Sequence, residues 1–247
     1  MQGTEKSLIK SIIPDTTLLV NIKNTFRKIA YASLRADRNP YDVKLVAVTK
    51  TVSFERIKES IDLGLRVFGE NKVQEAQKKI ETSRSEVTDC VIEWHMVGHL
   101  QKNKAKTAVQ LFDLIHSVDS VELAQEINKH AEKIGKIQKI LIQVNLSKEE
   151  TKHGILKDNL MDLIKHVTEL KNLSLEGLMT IPPFFDRAEP ARPFFRQLRE
   201  LRDHIQKSGY RLPELSMGMT NDFEVAVEEG ATIVRIGTAI FGERDYS

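Results

Sequence analysis

The segment Lys44-Leu-Val-Ala-Val-Thr-Lys50 places four consecutive apolar residues between polar ends. A short apolar run of this kind predicts a strand that is buried on both faces, as strands of a parallel sheet are. Eight such runs follow one another along the chain: Lys44 to Thr49, Arg66 to Gly69, Val91 to Val97, Leu111 to Ser117, Lys139 to Asn145, Leu173 to Met179, Glu214 to Met217 and Thr232 to Gly237.

Helical patterns separate these runs. Strands that alternate with helices predict parallel βαβ units, and an eight-stranded barrel of this type needs about 250 residues. We therefore predict an α/β fold, a single (β/α)8 TIM barrel over residues 43–242, with a doubly wound open sheet as the alternative. The amphipathic stretches are Phe54 to Leu63, Lys72 to Ile80, Val121 to Ile134, Leu160 to Leu170 and Pro193 to Lys207.

An extra N-terminal helix is predicted over residues 15–36, so that residues 1–247 form one domain. Asp15 is a suitable N-cap, and Pro40 ends the helical pattern. The expected buried face consists of Leu18, Leu19, Ile22, Phe26, Ile29 and Ala30.

Composition and charge limit the kinds of molecule that this protein is expected to bind. The 247 residues carry a net charge of +2, so no basic surface for nucleic acid or an acidic membrane is predicted. The single Cys90 excludes an internal disulfide. The first 15 residues lack the apolar core of a signal peptide. These features predict a cytoplasmic protein with a small-molecule ligand and no membrane contact.

Polar residues and glycines follow the apolar runs. The active sites of such barrels lie at the C-terminal ends of the strands. The loops after the last two predicted strands have the residues of a phosphate site. The loops Ser216-Met-Gly-Met-Thr220 and Gly237-Thr-Ala239 each combine a hydroxyl with a glycine that lets backbone approach a ligand. The residues at the strand ends are Lys50, Asn71, His95 with Gly98, Ser117, Asn145, Thr180, Ser216 to Gly218 and Arg235 to Thr238.

Lys50 and Arg235 add chemistry to this predicted phosphate site. Partial desolvation of a lysine favours the neutral amine that attacks carbonyl carbons; the alternative for Lys50 is a strand-end lysine that reaches solvent. Arg235 is expected to bind phosphate or a neutral pyridine nitrogen, or to pair with a carboxylate such as Glu70. The combination fits either a phosphorylated aldehyde cofactor or a sugar-phosphate substrate.

These residues lie in motifs that resemble the pyridoxal phosphate homeostasis protein family. Its members are small proteins that bind pyridoxal 5′-phosphate (PLP) and are related to the N-terminal barrel of alanine racemase, the type III fold of PLP proteins. The motifs are Ala47-Val-Thr-Lys50, Gly69-Glu-Asn-Lys-Val-Gln-Glu75, Trp94-His-Met-Val-Gly-His-Leu-Gln-Lys-Asn-Lys104, His116-Ser-Val-Asp119, Val144-Asn-Leu-Ser-Lys-Glu-Glu-Thr-Lys-His-Gly154, Gly177-Leu-Met179, Leu215-Ser-Met-Gly-Met-Thr-Asn-Asp222 and Val234-Arg-Ile-Gly-Thr-Ala-Ile-Phe-Gly242.

The resemblance implies a role for each candidate cofactor-binding residue. Lys50 would form the Schiff base with PLP, Arg235 would face the pyridine nitrogen, and Asn71 would lie near the ring. The phosphate would be bound by Ser216, Gly237 and Thr238, with the backbone around Met217 beside them. Thr220 and Thr49 stand where the family pattern has serine, and both keep a hydroxyl.

The first functional hypothesis is a PLP-binding protein that buffers PLP or delivers it to PLP-dependent apo-enzymes, as a monomer or weak dimer. The alternatives are an amino-acid racemase and a lysine-dependent aldolase. The resemblance implies that a racemase also needs a tyrosine from a partner subunit's separate β-domain. None of Tyr31, Tyr41, Tyr210 and Tyr246 follows a predicted strand, so the sequence favours binding over catalysis.

Three features stay open. His95 is either a base or ring neighbour of the cofactor, or a structural histidine. The lysines between Lys102 and Lys106 either attract phosphate or form a solvated helix face, and the segment Lys148 to His153 either covers the site or is an exposed loop. No pattern in the sequence predicts a metal site.

Overall fold

A computed structural model describes residues 16–147 and 153–243. The strands are β1 Lys44–Val48, β2 Val67–Glu70, β3 Glu93–Met96, β4 Leu114–Val118, β5 Gln138–Asn145, β6 Ile155–Leu156, β7 Leu173–Met179, β8 Glu214–Ser216 and β9 Ile233–Ile236. The α-helices are α1 Thr16–Arg35, α2 Phe54–Asp62, α3 Val73–Glu86, α4 Ala105–Leu111, α5 Val121–Lys133, α6 Leu160–Thr168, α7 Arg192–Lys207, α8 Phe223–Glu228 and α9 Thr238–Phe241.

Eight of the strands close into a parallel barrel. Hydrogen bonding runs in the order β1, β2, β3, β4, β5, β7, β8 and β9, and β9 pairs with β1. The two-residue strand β6 pairs with Val144 and Asn145 at the C-terminal end of β5, and it is not one of the eight barrel strands. The predicted (β/α)8 barrel is confirmed, and the open-sheet alternative is wrong because β4 also pairs with β5.

Each predicted apolar run overlaps one barrel strand, and the bounds agree within three residues at either end. The sequence did not predict β6, because two residues carry no periodicity. Helix α3 extends to Glu86, six residues beyond the predicted end at Ile80. Its last turns lack the apolar spacing that marked its beginning.

Helix α1 packs against the barrel through a face that only partly matches the predicted one. Leu18, Ile22 and Ile29 are buried as predicted, Leu19 and Ala30 are half-buried, and Ala32 and Ser33 are buried although they were not predicted. Phe26 is exposed, and the neighbouring Thr25 is buried in its place. The Thr25 hydroxyl donates to the carbonyl of Asn21 at 2.8 Å, so its burial leaves no polar group unsatisfied. The predicted cap at Asp15 lies outside the described residues.

The helices cover the barrel with one continuous apolar layer. Trp94 is buried in that layer and its ring lies 5.3 Å from the ring of Phe68. Across the described residues, no helix is long and apolar enough to cross a membrane.

The interior of the barrel contains a polar chain beside a small apolar cluster. The apolar residues are Val46, Val48, Val97, Leu114, Leu141, Met179 and Ile233. The polar chain connects strands on opposite sides of the barrel. Arg235 donates to the Ser216 hydroxyl at 2.6 Å, and that hydroxyl lies 2.9 Å from Nδ1 of His116. Nε2 of His116 lies 3.0 Å from Nδ1 of His95.

The polar chain of side chains in the barrel interior ends at the carboxylate of Glu93. Nε2 of His95 lies 3.1 Å from Oε1 of Glu93, at an oblique angle, and Lys44 donates to the same carboxylate at 3.1 Å. Burial lowers the pKa of His116 well below its usual value and lowers that of His95. Both imidazoles are therefore neutral at neutral pH, and each has one donor and one acceptor nitrogen.

Arg235 determines which atom donates and which accepts in the hydrogen bonds along this polar chain of side chains. A guanidinium only donates, so the Ser216 proton points to Nδ1 of His116. The His116 proton then lies on Nε2 and points to His95, whose own proton faces Glu93. This one tautomer pattern satisfies each hydrogen bond from Arg235 to His95.

Glu93 makes the free energy of unfolding dependent on pH. The contact with His95, and the hydrogen bonds from Lys44, lower the pKa of Glu93 from 4.5 to about 2 despite partial burial. A depressed carboxylate pKa stabilises the fold above the unfolded value and loses that contribution as the pH falls toward the folded value. Glu93→Gln should therefore lower the free energy of unfolding at neutral pH by about 2 kcal/mol.

Urea unfolding across a pH series measures this effect. The difference in the free energy of unfolding between Glu93→Gln and the unchanged protein should shrink as the pH falls below the ordinary pKa of a glutamate. It should vanish near the pKa that Glu93 has in the folded protein. Glu86→Gln, which removes an exposed pair with Lys58, is the control and should cost little at any pH. A deficit in Glu93→Gln that does not change with pH contradicts this assignment.

Candidate functional site

A cavity of about 530 Å³ opens at the C-terminal ends of the strands. This volume is in the range of small-molecule sites. Its polar lining includes Lys50, Asn71, Thr220, Asp222, Arg235 and Thr238. Residues 181–185, which follow β7, form an apolar wall, and Phe184 in this wall is 78% exposed.

A second cavity of about 200 Å³ adjoins the first. Val48, Lys50, Gly237 and Thr238 line both cavities. Lys50 is half-buried at the end of β1. Its side chain therefore lies at the boundary between the two spaces, next to the loop that follows β9.

The backbone on both sides of Lys50 is held in place. The Thr49 hydroxyl donates to Oε1 of Glu70 at 2.6 Å, and Thr51 N–H donates to Oε1 of Glu75 at 2.6 Å. Thr51 has φ of 64°, a left-handed conformation that is costly for a β-branched residue. Strain of this kind persists where neighbouring contacts impose it, and here it directs the chain away from β1 immediately after Lys50.

Lys79 of α3 joins these contacts into one cluster. Its ammonium donates to the Thr49 carbonyl at 2.6 Å, to Glu70 at 2.8 Å and to Glu75 at 2.7 Å. Glu70 is fully buried, and burial raises its pKa although Lys79 opposes the shift. The Lys79 ammonium is the positive charge that compensates this carboxylate.

Two loops supply anion-binding groups on the other side of Lys50. Thr238 begins the short helix α9, and the first N–H groups of a helix have no acceptor within it. The loop after β8 brings Thr220 to the cavity. Gly218 in that loop has φ of 92°, and a Cβ there would lie 2.5 Å from Cβ of Ala226, so only glycine fits.

Arg235 lies at the floor of the cavity with its guanidinium almost fully buried. Nη1 donates to Ser216 and Nη2 to the Thr180 carbonyl at 3.0 Å. Burial lowers the pKa of Arg235 to about 10, a value at which it stays protonated at neutral pH. The suggested pairing of Arg235 with Glu70 is wrong, because Glu70 bonds to Lys79 and Thr49 instead.

Five of the seven predicted site residues line the cavity: Lys50, Asn71, Arg235, Gly237 and Thr238. Ser216 and Met217 are fully buried beneath it. The Ser216 hydroxyl accepts from Arg235 and bonds to His116, so its position suits support of Arg235 better than contact with a phosphate. Ser216 is the last residue of β8 and Met217 follows it. The alternation of side chains along a strand cannot be fixed from so short a run.

The structure also places residues that the sequence prediction left out or left open. Thr220 and Asp222 line the cavity, and the family pattern around Met219 was the available signal for them. His95 is fully buried in the interior chain and is a structural histidine. Lys102 and Lys106 are exposed and line neither of the two cavities that Lys50 lines, which places them on a solvated face.

The relatives of this chain share both its length and its fold. The pyridoxal phosphate homeostasis protein of Aquifex aeolicus is 49% identical over 226 residues, which are 91% of this chain and 97% of that protein. The structure of PipY from Synechococcus elongatus, solved with PLP bound, has 38% identity and a TM-score of 0.77, covering 87% of this chain and 100% of PipY.

A more distant structure shares the fold alone. An alanine racemase from Clostridium difficile is 16% identical, with a TM-score of 0.70 over 96% of this chain and 60% of the racemase. Residues 22–245 match the family described as alanine racemase, N-terminal domain. The chain therefore belongs to the alanine racemase N-terminal domain family, and within that family to the pyridoxal phosphate homeostasis proteins.

Proposed function

We propose that this protein binds PLP covalently through Lys50 and serves PLP homeostasis by holding the cofactor and releasing it to PLP-dependent apo-enzymes. The observation that carries the proposal is the position of Lys50 on the shared lining of two adjoining cavities, together with Gly237 and Thr238, and with Arg235 on the lining of the larger one. The PLP-bound structure of the relative PipY supports it.

The polar groups of the cavity match three polar parts of PLP: the aldehyde, the phosphate and the pyridine nitrogen. An aldehyde needs an amine, which Lys50 supplies by forming a Schiff base with loss of water. A phosphate needs N–H and hydroxyl donors, which Gly237, Thr238 and Thr220 supply. A pyridine nitrogen that accepts a hydrogen bond needs a permanent donor, which the protonated Arg235 supplies.

The position of Arg235 favours a protein that holds PLP over an enzyme that uses PLP in catalysis. Bound PLP acts as an electron sink, and that chemistry is strongest when the pyridine nitrogen carries a proton. The hydrogen bonds of Arg235 to Ser216 and Thr180 hold the guanidinium in one orientation. A fixed cation at this position disfavours protonation of a neighbouring ring nitrogen, so Arg235 weakens the sink.

A racemase-like activity is the second candidate, and Asp222 is the observation that favours it. This carboxylate lines the cavity, and burial raises its pKa although Met219 N–H donates to it at 2.6 Å. A carboxylate with a raised pKa is a suitable general base. It would be the second proton acceptor that Lys50 alone does not provide.

Lys50→Ala should abolish covalent attachment of PLP. The purified chain is incubated with PLP and reduced with borohydride, and the adduct is located by intact-mass and peptide analysis. We expect one pyridoxyl group on the Lys50 peptide, and none in Lys50→Ala. Lys106→Ala, at an exposed lysine, is the control and should keep the adduct. Unmodified protein argues against the proposal, and a sugar skeleton on Lys50 indicates an aldolase.

Lys79→Met tests the cluster that holds the Lys50 backbone. It leaves the Glu70 carboxylate buried without a counter-charge, so the free energy of unfolding should fall by about 3 kcal/mol. PLP affinity should fall about tenfold, because the Thr49–Thr51 turn loses its common partner. The double variant Glu70→Gln with Lys79→Met should recover part of the stability. Lys78→Met, at an exposed neighbour, should change neither quantity.

The racemase alternative is tested by exchange of the α-hydrogen of amino acids in deuterium oxide. If Asp222 is a catalytic base, Asp222→Asn should slow exchange by about 100-fold or more while PLP attachment is retained. No exchange by the unchanged chain across a broad panel of amino acids removes this candidate and leaves the binding function.

A further inference from the structure

Three potential metal ligands meet at the barrel mouth across from Lys50. His99 follows β3, Asp119 follows β4, and His153 precedes β6, which pairs with the end of β5. One ligand atom from each residue lies within 4.8 Å of the other two. None of the three residues lines the cavity that contains Lys50.

The two histidines are stacked. Their ring centroids lie 3.7 Å apart with only 7° between the ring planes, and Nδ1 of His99 lies 3.9 Å from Oδ2 of Asp119. A neutral imidazole is the form that has a nitrogen lone pair for a metal.

The backbone of each residue is anchored. His99 lies between Val97, whose N–H donates to the Glu70 carbonyl at 2.9 Å, and the buried Leu100. Asp119 precedes Ser120, the N-cap of α5. The His153 carbonyl accepts from Gln143 at 3.0 Å, and Gly154, with φ of 122°, packs so closely that a Cβ would lie 2.7 Å from the backbone N of Asn145.

We propose that His99, Asp119 and His153 form a binding site for a divalent transition-metal ion of the Zn²⁺ class. Two imidazole nitrogens and one carboxylate oxygen are the donor set that such ions prefer, whereas Mg²⁺ and Ca²⁺ prefer oxygen alone. Zinc–ligand distances of about 2.0–2.2 Å require the ligand atoms to move closer together. His99 and His153 are both exposed, so rotation of their side chains is the movement that this geometry requires.

Three protein ligands leave a fourth position for water or an added ligand. The barrel order places the site opposite the Lys50 cavity, since β3, β4 and β5 face β8, β9 and β1 across the ring. The sequence predicted no metal site, and the proposal departs from that prediction. The ligands come from three separate segments, and no spacing within one segment reveals them.

Direct titration of the full-length chain with Zn²⁺, without added PLP, tests the site. Calorimetry or competition with a chromogenic chelator should show one ion per chain. His99→Gln, Asp119→Asn and His153→Gln should each weaken binding by at least about tenfold. His166→Gln, at an exposed histidine on α6, is the matched control and should bind as the unchanged chain does.

A second measurement needs no variant. Paramagnetic Co²⁺ added at substoichiometric amounts should broaden the ring proton signals of His99 and His153 before those of His130, His166 and His204. The proposal is overturned if Zn²⁺ does not bind in a one-to-one ratio, if the three ligand variants bind as tightly as His166→Gln, or if Co²⁺ broadens all exposed histidines equally.

Discussion

The buried guanidinium of Arg235 is the constraint around which the barrel mouth is organised. A cation enclosed by strands has to be hydrogen-bonded, and Ser216 and the Thr180 carbonyl meet that need. Because Arg235 only donates, the Ser216 hydroxyl turns its proton toward His116. A row of polar contacts thus runs from the site through the two neutral histidines to Glu93 and Lys44 at the opposite end of the strands.

A second cluster, behind β1, positions Lys50. Glu70 is buried, and Lys79 joins it to Thr49 and Glu75. These contacts maintain the left-handed Thr51 that follows Lys50. The lysine proposed to bind the cofactor therefore emerges from a rigid turn, and its own side chain lines both cavities. Rigid support is what a covalent carrier needs if it holds one ligand in one orientation.

The mouth of the barrel divides into two chemically different halves. The half at β8, β9 and β1 combines cations, hydroxyls and helix N–H groups, which suit an anionic aldehyde cofactor. The half at β3, β4 and β5 presents two histidines and an aspartate, which suit a metal ion. A parallel barrel makes this possible, because every strand delivers its following residue to the same end.

The sequence by itself determined the eight strands and their parallel α/β arrangement, and it predicted candidate cofactor residues at strand ends such as Lys50, Arg235 and Thr238, because period and position along one segment carry that information. Only the tertiary structure decided that Ser216 supports Arg235, that Glu70 pairs with Lys79, that Phe26 is exposed and that His99, Asp119 and His153 meet. Each of these outcomes depends on contacts between segments distant in the chain, and barrel closure brings those segments together without leaving a local pattern in the sequence.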